Sequence, residues 1–382
     1  MQPFTFTTTR SLVSRPGALK ELPDYCRQLG MERPLIVTDR GIVSAGLLDQ
    51  LEDVLGQLPS DSYCDVVADP PESVVLEALA KAQSMQADGI IGFGGGSSMD
   101  TAKLIALLAC SGESLDQVYG VEQAKGPRLP LVLIPTTAGT GSEVTAVAIV
   151  TTGETTKTGV VSPILLPDLA ILDAELTVGL PGHITAATGI DAMVHAIEAY
   201  TSAHKKNPYS DMLAREALKL MAGSLLTAVE NGEDLEARQQ MLLGACLAGQ
   251  AFANAPVAAV HALAYPLGGH YHIPHGLSNS LVLPEVLRFN ASAAADLYAE
   301  LYDVLVPSND YATADQKTQA MIQWLKQLID SVGLPTRLRD AGVKEKSLEI
   351  LAADAMLQQR LLVNNPREVS EADALAIYRA VF

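Results

Sequence analysis

The chain has 382 residues, enough for two or three domains, and 48% of them are hydrophobic, ample for large cores. A net charge of −18 and a pI of about 4.7 give an acidic surface that repels phosphate backbones, so nucleic acid is not an expected partner. No stretch approaches the roughly 18 unbroken apolar residues of a membrane span, and the polar start MQPFTFTTTR lacks the basic and apolar regions of a secretory leader, so the expected compartment is the cytoplasm.

Residues 4–13 alternate as FTFTTTRSLV and predict a strand or hairpin edge, open to pairing between subunits. PLIVTD at 34–39 predicts a short buried strand between helical stretches around 18–29 and 44–57. A β-like run follows at 63–67, a helix at 72–86 and an apolar strand at 89–93, after which GGGSSMD opens a helix running through Leu108. LVLIP at 131–135 and LAILD at 169–173 read as further buried strands. Strands alternating with helices predict βαβ units and a mostly parallel sheet. Beyond Pro181 the β-branched runs fade, and Ala/Leu-rich stretches predict helices at 184–202, 208–230, 234–253, 255–268, 278–289, 292–306, 314–332, 344–359 and 370–381. Gly179, Pro181 and Gly182 punctuate the change. The expected organisation is an α/β nucleotide-binding domain over 1–180 and an all-α domain over 181–382. Cys26, Cys64, Cys110 and Cys246 are far apart, form no CxxC, and read as buried free thiols of a reducing compartment.

Within GGGSSMD, Gly94 to Asp100, three glycines let a phosphate approach the backbone, and the positive end of the following helix favours an anion. The alternative is a tight strand-to-helix turn. The motif departs from the usual dinucleotide pattern: Ser97 stands where a third Gly or Ala belongs, and no acid follows about 20 residues on. Asp39 ends the strand PLIVTD; a carboxylate there either binds an adenosine ribose, favouring NAD, or caps a turn. Arg40 beside it suits a 2′-phosphate and keeps NADP as the alternative. PTTAGTGSEVT, Pro135 to Thr145, either lines a pyrophosphate or nicotinamide with its hydroxyls and amides or is a flexible loop. Lys157, in TTGETTKTG, either reaches the same cleft or is a solvated charge.

Asp191 and His195, in GIDAMVHAIEAY, are four apart on a predicted helix and share one face. They form either half of a divalent metal site or a hydrogen-bonded surface pair. Five of seven histidines fall at His195 and in the run His261, His270, His272 and His275, and His261 and His275 are candidates for the other half. Phe252 and Asn254 precede His261 on what reads as one helix, where they line a pocket or only pack. His183 and His204 are not expected ligands.

GGGSSMD, PTTAGTGSEVT, GIDAMVHAIEAYTS and HALAYPLGGHYHIPHGLSNSLVLP, in this order and at these separations, resemble the iron-containing (group III) alcohol dehydrogenase family over nearly the whole chain. The resemblance implies a dehydroquinate synthase-like architecture, an active site in the cleft between the two domains, and a homodimer or higher oligomer. It implies metal ligands at Asp191, His195, His261 and His275, holding Fe(2+) or alternatively Zn(2+). It places cofactor contacts at Asp39, Gly95, Gly96, Ser97, Ser98, Met99, Thr136, Thr137, Thr145, Val147 and Lys157. The implied reaction passes hydride between a small-molecule alcohol or aldehyde and the nicotinamide. Tyr265, in HALAYPLGG, stands where members often carry a further His, so Tyr265 and His270 are the candidate catalytic side chains, with His272, water and the ribose hydroxyls as other proton exits. Hydroxyacid-oxoacid transhydrogenases look similar at that position and supply the alternative activity. A dehydroquinate synthase-like lyase would carry more Lys and Arg around its motifs.

Overall fold

In the computed structural model, which describes residues 3–153, 156–308 and 310–382, the apolar runs of the first half become strands. In chain order these are β1 (Leu12–Ser14), β2 (Pro34–Asp39), β3 (Asp61–Val66), β4 (Gly89–Gly94), β5 (Gly120–Val121), β6 (Leu131–Pro135), β7 (Val147–Thr152), β8 (Thr156–Val161) and β9 (Leu169–Leu172). The helices among them are α1 (Leu22–Leu29), α2 (Arg40–Ser44), α3 (Leu47–Leu55), α4 (Glu72–Ser84), α5 (Gly96–Ser111) and α6 (Leu115–Val118). Six strands make one parallel sheet in the order β1-β9-β6-β4-β2-β3; β5, β8 and β7 make a second, small sheet. Alternation along each strand feeds two cores. Leu35 and Val37 of β2 pack with α4 and α5 on one face, and Ile36 packs with α1 and α3 on the other.

The chain runs from β2 outward to β3 and returns to β4 on the other side of β2, so the strand order reverses between β2 and β4. In open α/β sheets that reversal leaves a crevice at the strands' carboxyl ends, where ligands bind. Asp39 ends β2 there and Gly94 ends β4. Gly92 lets α5 lie close on β4, because a Cβ at that position would stand 2.8 Å from the Ala102 Cβ.

The second half is helical: α7 (Gly182–Thr201), α8 (Pro208–Glu230), α9 (Leu235–Asn254), α10 (Ala259–Tyr271), α11 (His275–Leu305), α12 (Ala314–Ser331), α13 (Leu348–Ala355), α14 (Gln359–Leu362) and α15 (Glu371–Ala380). Every residue from Gly189 to Thr201 of α7 is buried, and α8, α9 and α11 pack around it. Among the described residues no single helix is long and apolar enough to cross a membrane; α9 and α10 together have the length and composition but meet at 105°. Residues 7–179 form one compact unit, and residues 3–6 join 180–382 in the other.

Several expectations are corrected. Residues 4–13 do not form one strand: the ladder covers Leu12–Ser14, while Phe4 and Phe6 set their rings 5.9 and 5.4 Å from that of Tyr209 on α8. The helix expected over 44–57 is α3 at Leu47–Leu55, which starts only after Gly46 with φ +72°; a separate short helix, α2, precedes it. The Thr-rich stretch around Lys157, given no element from sequence, contributes to the β7–β8 hairpin; residues 154 and 155 lie outside the described residues. The stretches 278–289 and 292–306 join in α11, kinked at Ala294. Phe252 and Asn254 lie on α9, not on the helix of His261, because Pro256 pushes Ala255 out of helical geometry. All four cysteines are free, yet Cys110 is exposed and Cys64 half-buried.

Candidate functional site

The Ala-rich, Gly- and Pro-free run after Ile190 keeps α7 regular, so Asp191 and His195 project from one face. Opposite them stand His261, in the first turn of α10, and His275, the first residue of α11. Gly276 permits that approach, since a Cβ there would lie 2.3 Å from the Ala187 carbonyl oxygen. The four ligand-type atoms all fall within 4.8 Å of one another. One ion with bonds of about 2.0–2.2 Å spreads its donors roughly 3.3–4.3 Å apart, so small side-chain shifts close the set on a single centre. Asp191, His195 and His261 are buried, while His275 has a side chain 38% exposed and gives the group an open side. Phe252 stacks on His195 with ring centroids 4.3 Å apart and walls the other flank.

Burial works to raise the Asp191 carboxyl, but the imidazoles of His275, His195 and His261 and the Asn279 amide outweigh it and hold the group below its ordinary range. Asn279 donates to Asp191 Oδ1 at 2.6 Å. The buried Glu198, one turn beyond His195, accepts from the Val260 N–H at 2.7 Å and meets His261 Nδ1 at 2.6 Å. His261 Nε2 is buried with no hydrogen-bond partner among the described residues. A carboxylate and three imidazoles, one with an open buried nitrogen, fit a borderline divalent ion such as Fe(2+) or Zn(2+).

At the reversal of the sheet, Asp39 Oδ1 caps α2 by accepting from the Gly41 and Ile42 N–H groups, and Oδ2 accepts from the Ser98 hydroxyl at 3.2 Å. Gly94 has φ +146°, and a Cβ there would stand 2.8 Å from Ser98 Oγ, so only glycine serves. No side chain caps α5, which leaves its first-turn N–H groups available to an anion. Thr137 and Thr140 border the turn: Cβ atoms added at Gly95 and Gly96 would lie 3.8 Å from Thr137 Oγ1 and 2.9 Å from Thr140 Cγ2. Thr136 is buried, its N–H bonded to the Gly94 carbonyl. Met99 points into the core, so only its backbone faces the turn.

Lys103 is fully buried, and its Nζ donates to Asp100 Oδ1, Ser142 Oγ, Thr145 Oγ1 and the Val147 carbonyl at 2.7–3.2 Å. Thr145 and Val147 are thereby held against α5. Lys157, on β8, pairs with Asp69 at 2.6 Å, and Arg40 pairs with Asp65 at 2.6 Å. His270 is exposed, with Nε2 2.5 Å from Asp354 Oδ2, outside the four-residue group. Tyr265 lies one turn beyond His261, its ring centroid 5.9 Å from that of His275. His183, His204 and His272 are exposed. Sequence reading missed Glu198, Asn279, Asp100 and Lys103. Their signal was present: each is a polar residue inside an apolar helical run, three or four positions from a residue already singled out or, for Lys103, from Asp100 itself.

Residues 9–174 match the model of iron-containing alcohol dehydrogenases, and residues 185–382 match that of the C-terminal part of the Fe-containing alcohol dehydrogenase family. The chain is similar to a long-chain-alcohol dehydrogenase of Geobacillus thermodenitrificans, 42% identical over 96% of this chain and 93% of that one. It is also similar to an NAD-dependent methanol dehydrogenase of Bacillus methanolicus, 35% identical over 98% of both chains. A crystal structure of a 1,3-propanediol oxidoreductase superposes over the full length of both chains with a TM-score of 0.95 at 35% identity. With both halves matched in order and the Asp–His–His–His group assembled, the chain belongs to the iron-containing alcohol dehydrogenase family and is an alcohol dehydrogenase of that family.

Proposed function

We propose that the protein interconverts a small alcohol and its aldehyde or ketone with NAD as hydride carrier and Fe(2+) held by Asp191, His195, His261 and His275. The observation that carries this reading is the four-residue group itself, whose donor atoms lie within 4.8 Å of one another. When bound, the ion supplies Lewis-acid stabilisation of charge on the substrate oxygen and the dinucleotide accepts the hydride. Asp191 contributes the negative charge of the donor set, and Asn279 holds that carboxylate in place. Phe252 packs on His195 and keeps water from that flank. Tyr265, with its ring centroid 5.9 Å from that of the partly exposed His275, is the side chain proposed nearest the substrate. His270, engaged with Asp354, serves at most as a distant proton exit.

For the cofactor, the uncapped start of α5, Gly95 to Met99, is the proposed pyrophosphate cradle, bordered by Thr136 and Thr137. Thr145, Val147 and Lys157 are the further proposed contacts, the first two fastened by Lys103. NAD is favoured over NADP because Asp39 presents a carboxylate at the end of β2 while Arg40 is directed to Asp65. The NAD-dependent relative supports the same choice. The relatives' substrates run from methanol to long-chain alcohols, so the alcohol itself is for experiment to identify.

The test is metal analysis of anaerobically purified protein, followed by an alcohol and aldehyde panel with NADH and NADPH. One equivalent of iron and faster turnover with NADH are expected. Absence of any bound transition metal, or turnover that survives complete chelation, rejects the metal assignment. A product formed only with a second carbonyl acceptor, with no free NADH, favours the transhydrogenase alternative.

A further inference from the structure

We propose that Glu198 is the positioning residue that sets the tautomer of His261 and through it the strength of metal binding, an inference resting on the four-ligand reading above. Glu198 is 3% exposed, on α7, and an ionised carboxylate only accepts hydrogen bonds. Oε1 takes the Val260 N–H at 2.7 Å, and Oε2 lies 2.6 Å from His261 Nδ1. Ala258, ahead of α10, offers no side-chain cap, so Glu198 acts as the missing cap from a neighbouring helix. The same carboxylate therefore fixes where α10 begins and which nitrogen of His261 carries the proton. With Nδ1–H committed to Glu198, Nε2 keeps its lone pair, and Nε2 is the buried atom with no hydrogen-bond partner among the described residues. Carboxylate–imidazole–metal chains of this kind fix the ring's tautomer and orientation and raise ligand basicity.

A glutamine at 198 has nearly the same shape but one acceptor and one donor. Its oxygen serves either the Val260 N–H or His261 Nδ1–H. If the amide nitrogen meets His261, the ring must carry its proton on Nε2, where a lone pair is needed. If the nitrogen meets Val260, α10 loses its cap. The experiment uses the full chain as wild type, Glu198→Gln and Glu198→Asp, stripped of metal. Zn(2+) and Co(2+) affinities are measured by chelator competition, and the ring-nitrogen shifts of 15N-histidine-labelled, metal-free protein report the tautomers. Metal-free wild type is expected to show His261 protonated on Nδ1. Glu198→Gln is expected to bind metal about 10–100-fold more weakly with an altered Co(2+) visible spectrum, and Glu198→Asp, which keeps two acceptors, to recover part of the loss. Glu198→Gln affinity within twofold of wild type, or Nε2–H on His261 in metal-free wild type, overturns the proposal while leaving the metal site standing. Wild-type protein that binds neither ion overturns both. If Glu198→Gln does not fold, the wild-type tautomer decides.

Discussion

His261 meets Glu198 at Nδ1 and keeps Nε2 without a hydrogen-bond partner among the described residues, so removal of the ring leaves Glu198 with the Val260 N–H alone and the ligand group one donor short. His261→Ala is expected to retain less than a tenth of the wild-type metal content after dialysis. Its kcat/KM should fall about a thousandfold, since Lewis-acid stabilisation is worth several kcal/mol. Full turnover in that variant would refute the assignment. Asp191 gives a pH prediction. Its folded pKa lies below the usual value of about 3.9, so the stability it contributes is present above that value and lost as the pH falls through the folded one. In metal-free protein, the stabilisation of wild type relative to Asp191→Asn should shrink as the pH falls below about 4. A difference that grew with acid would contradict the sign.

Helix α5 ties the candidate cofactor turn to its bordering loop. Asp100 accepts from the Ser142 hydroxyl at 2.6 Å and from the Ile149 N–H at 3.0 Å, and Lys103 bonds the same segment from one turn on. Burial lowers the Lys103 pKa, opposed by the charges of Asp100 and Glu143. Lys103→Met strands these partners and is expected to cost about 3–5 kcal/mol in urea unfolding; a loss under about 1 kcal/mol would show the network to be dispensable. Gly96→Ala acts at the other edge of the turn, where the new Cβ meets Thr140 Cγ2 at 2.9 Å. Overpacking of about 1–3 kcal/mol should weaken NADH binding at least about tenfold while metal content stays at wild-type level. Unchanged NADH affinity would remove Gly96 from the cofactor site.

For the whole molecule, an ion held by the four-residue group would link three segments: α7, the start of α10 and the start of α11. A ligand that binds only the folded chain at about 100 times its Kd adds about 2.7 kcal/mol to stability. Restoring Fe(2+) or Zn(2+) to chelated protein should therefore raise its unfolding midpoint, and His261→Ala should show no such shift. Equal midpoints with and without metal in wild type would mean that the four residues do not grip an ion in the folded state. The net charge of −18 acts on solubility and association, and carries no information about the site.

Local pattern alone determined the buried strands and the long helices. Apolar strands such as LVLIP and the long helical run from Gly182 were legible because burial and periodicity are written into consecutive residues. The Asp191–His195 pair was legible for the same reason, since helix geometry puts i and i+4 together whatever surrounds them. Clustering of histidines nominated His261 and His275 as partners of that pair, and the family motifs fixed the choice, because nothing local brings residues some 70–80 positions apart within bonding reach. Tertiary structure alone decided what each remaining group does. It turned Phe4 and Phe6 onto Tyr209 instead of into a ladder, and gave Arg40 and His270 carboxylate partners from distant segments. It also placed Glu198 behind His261 and buried Lys103. A sequence names the polar groups inside apolar helices, but which partner satisfies each is fixed only when helices pack and water is excluded.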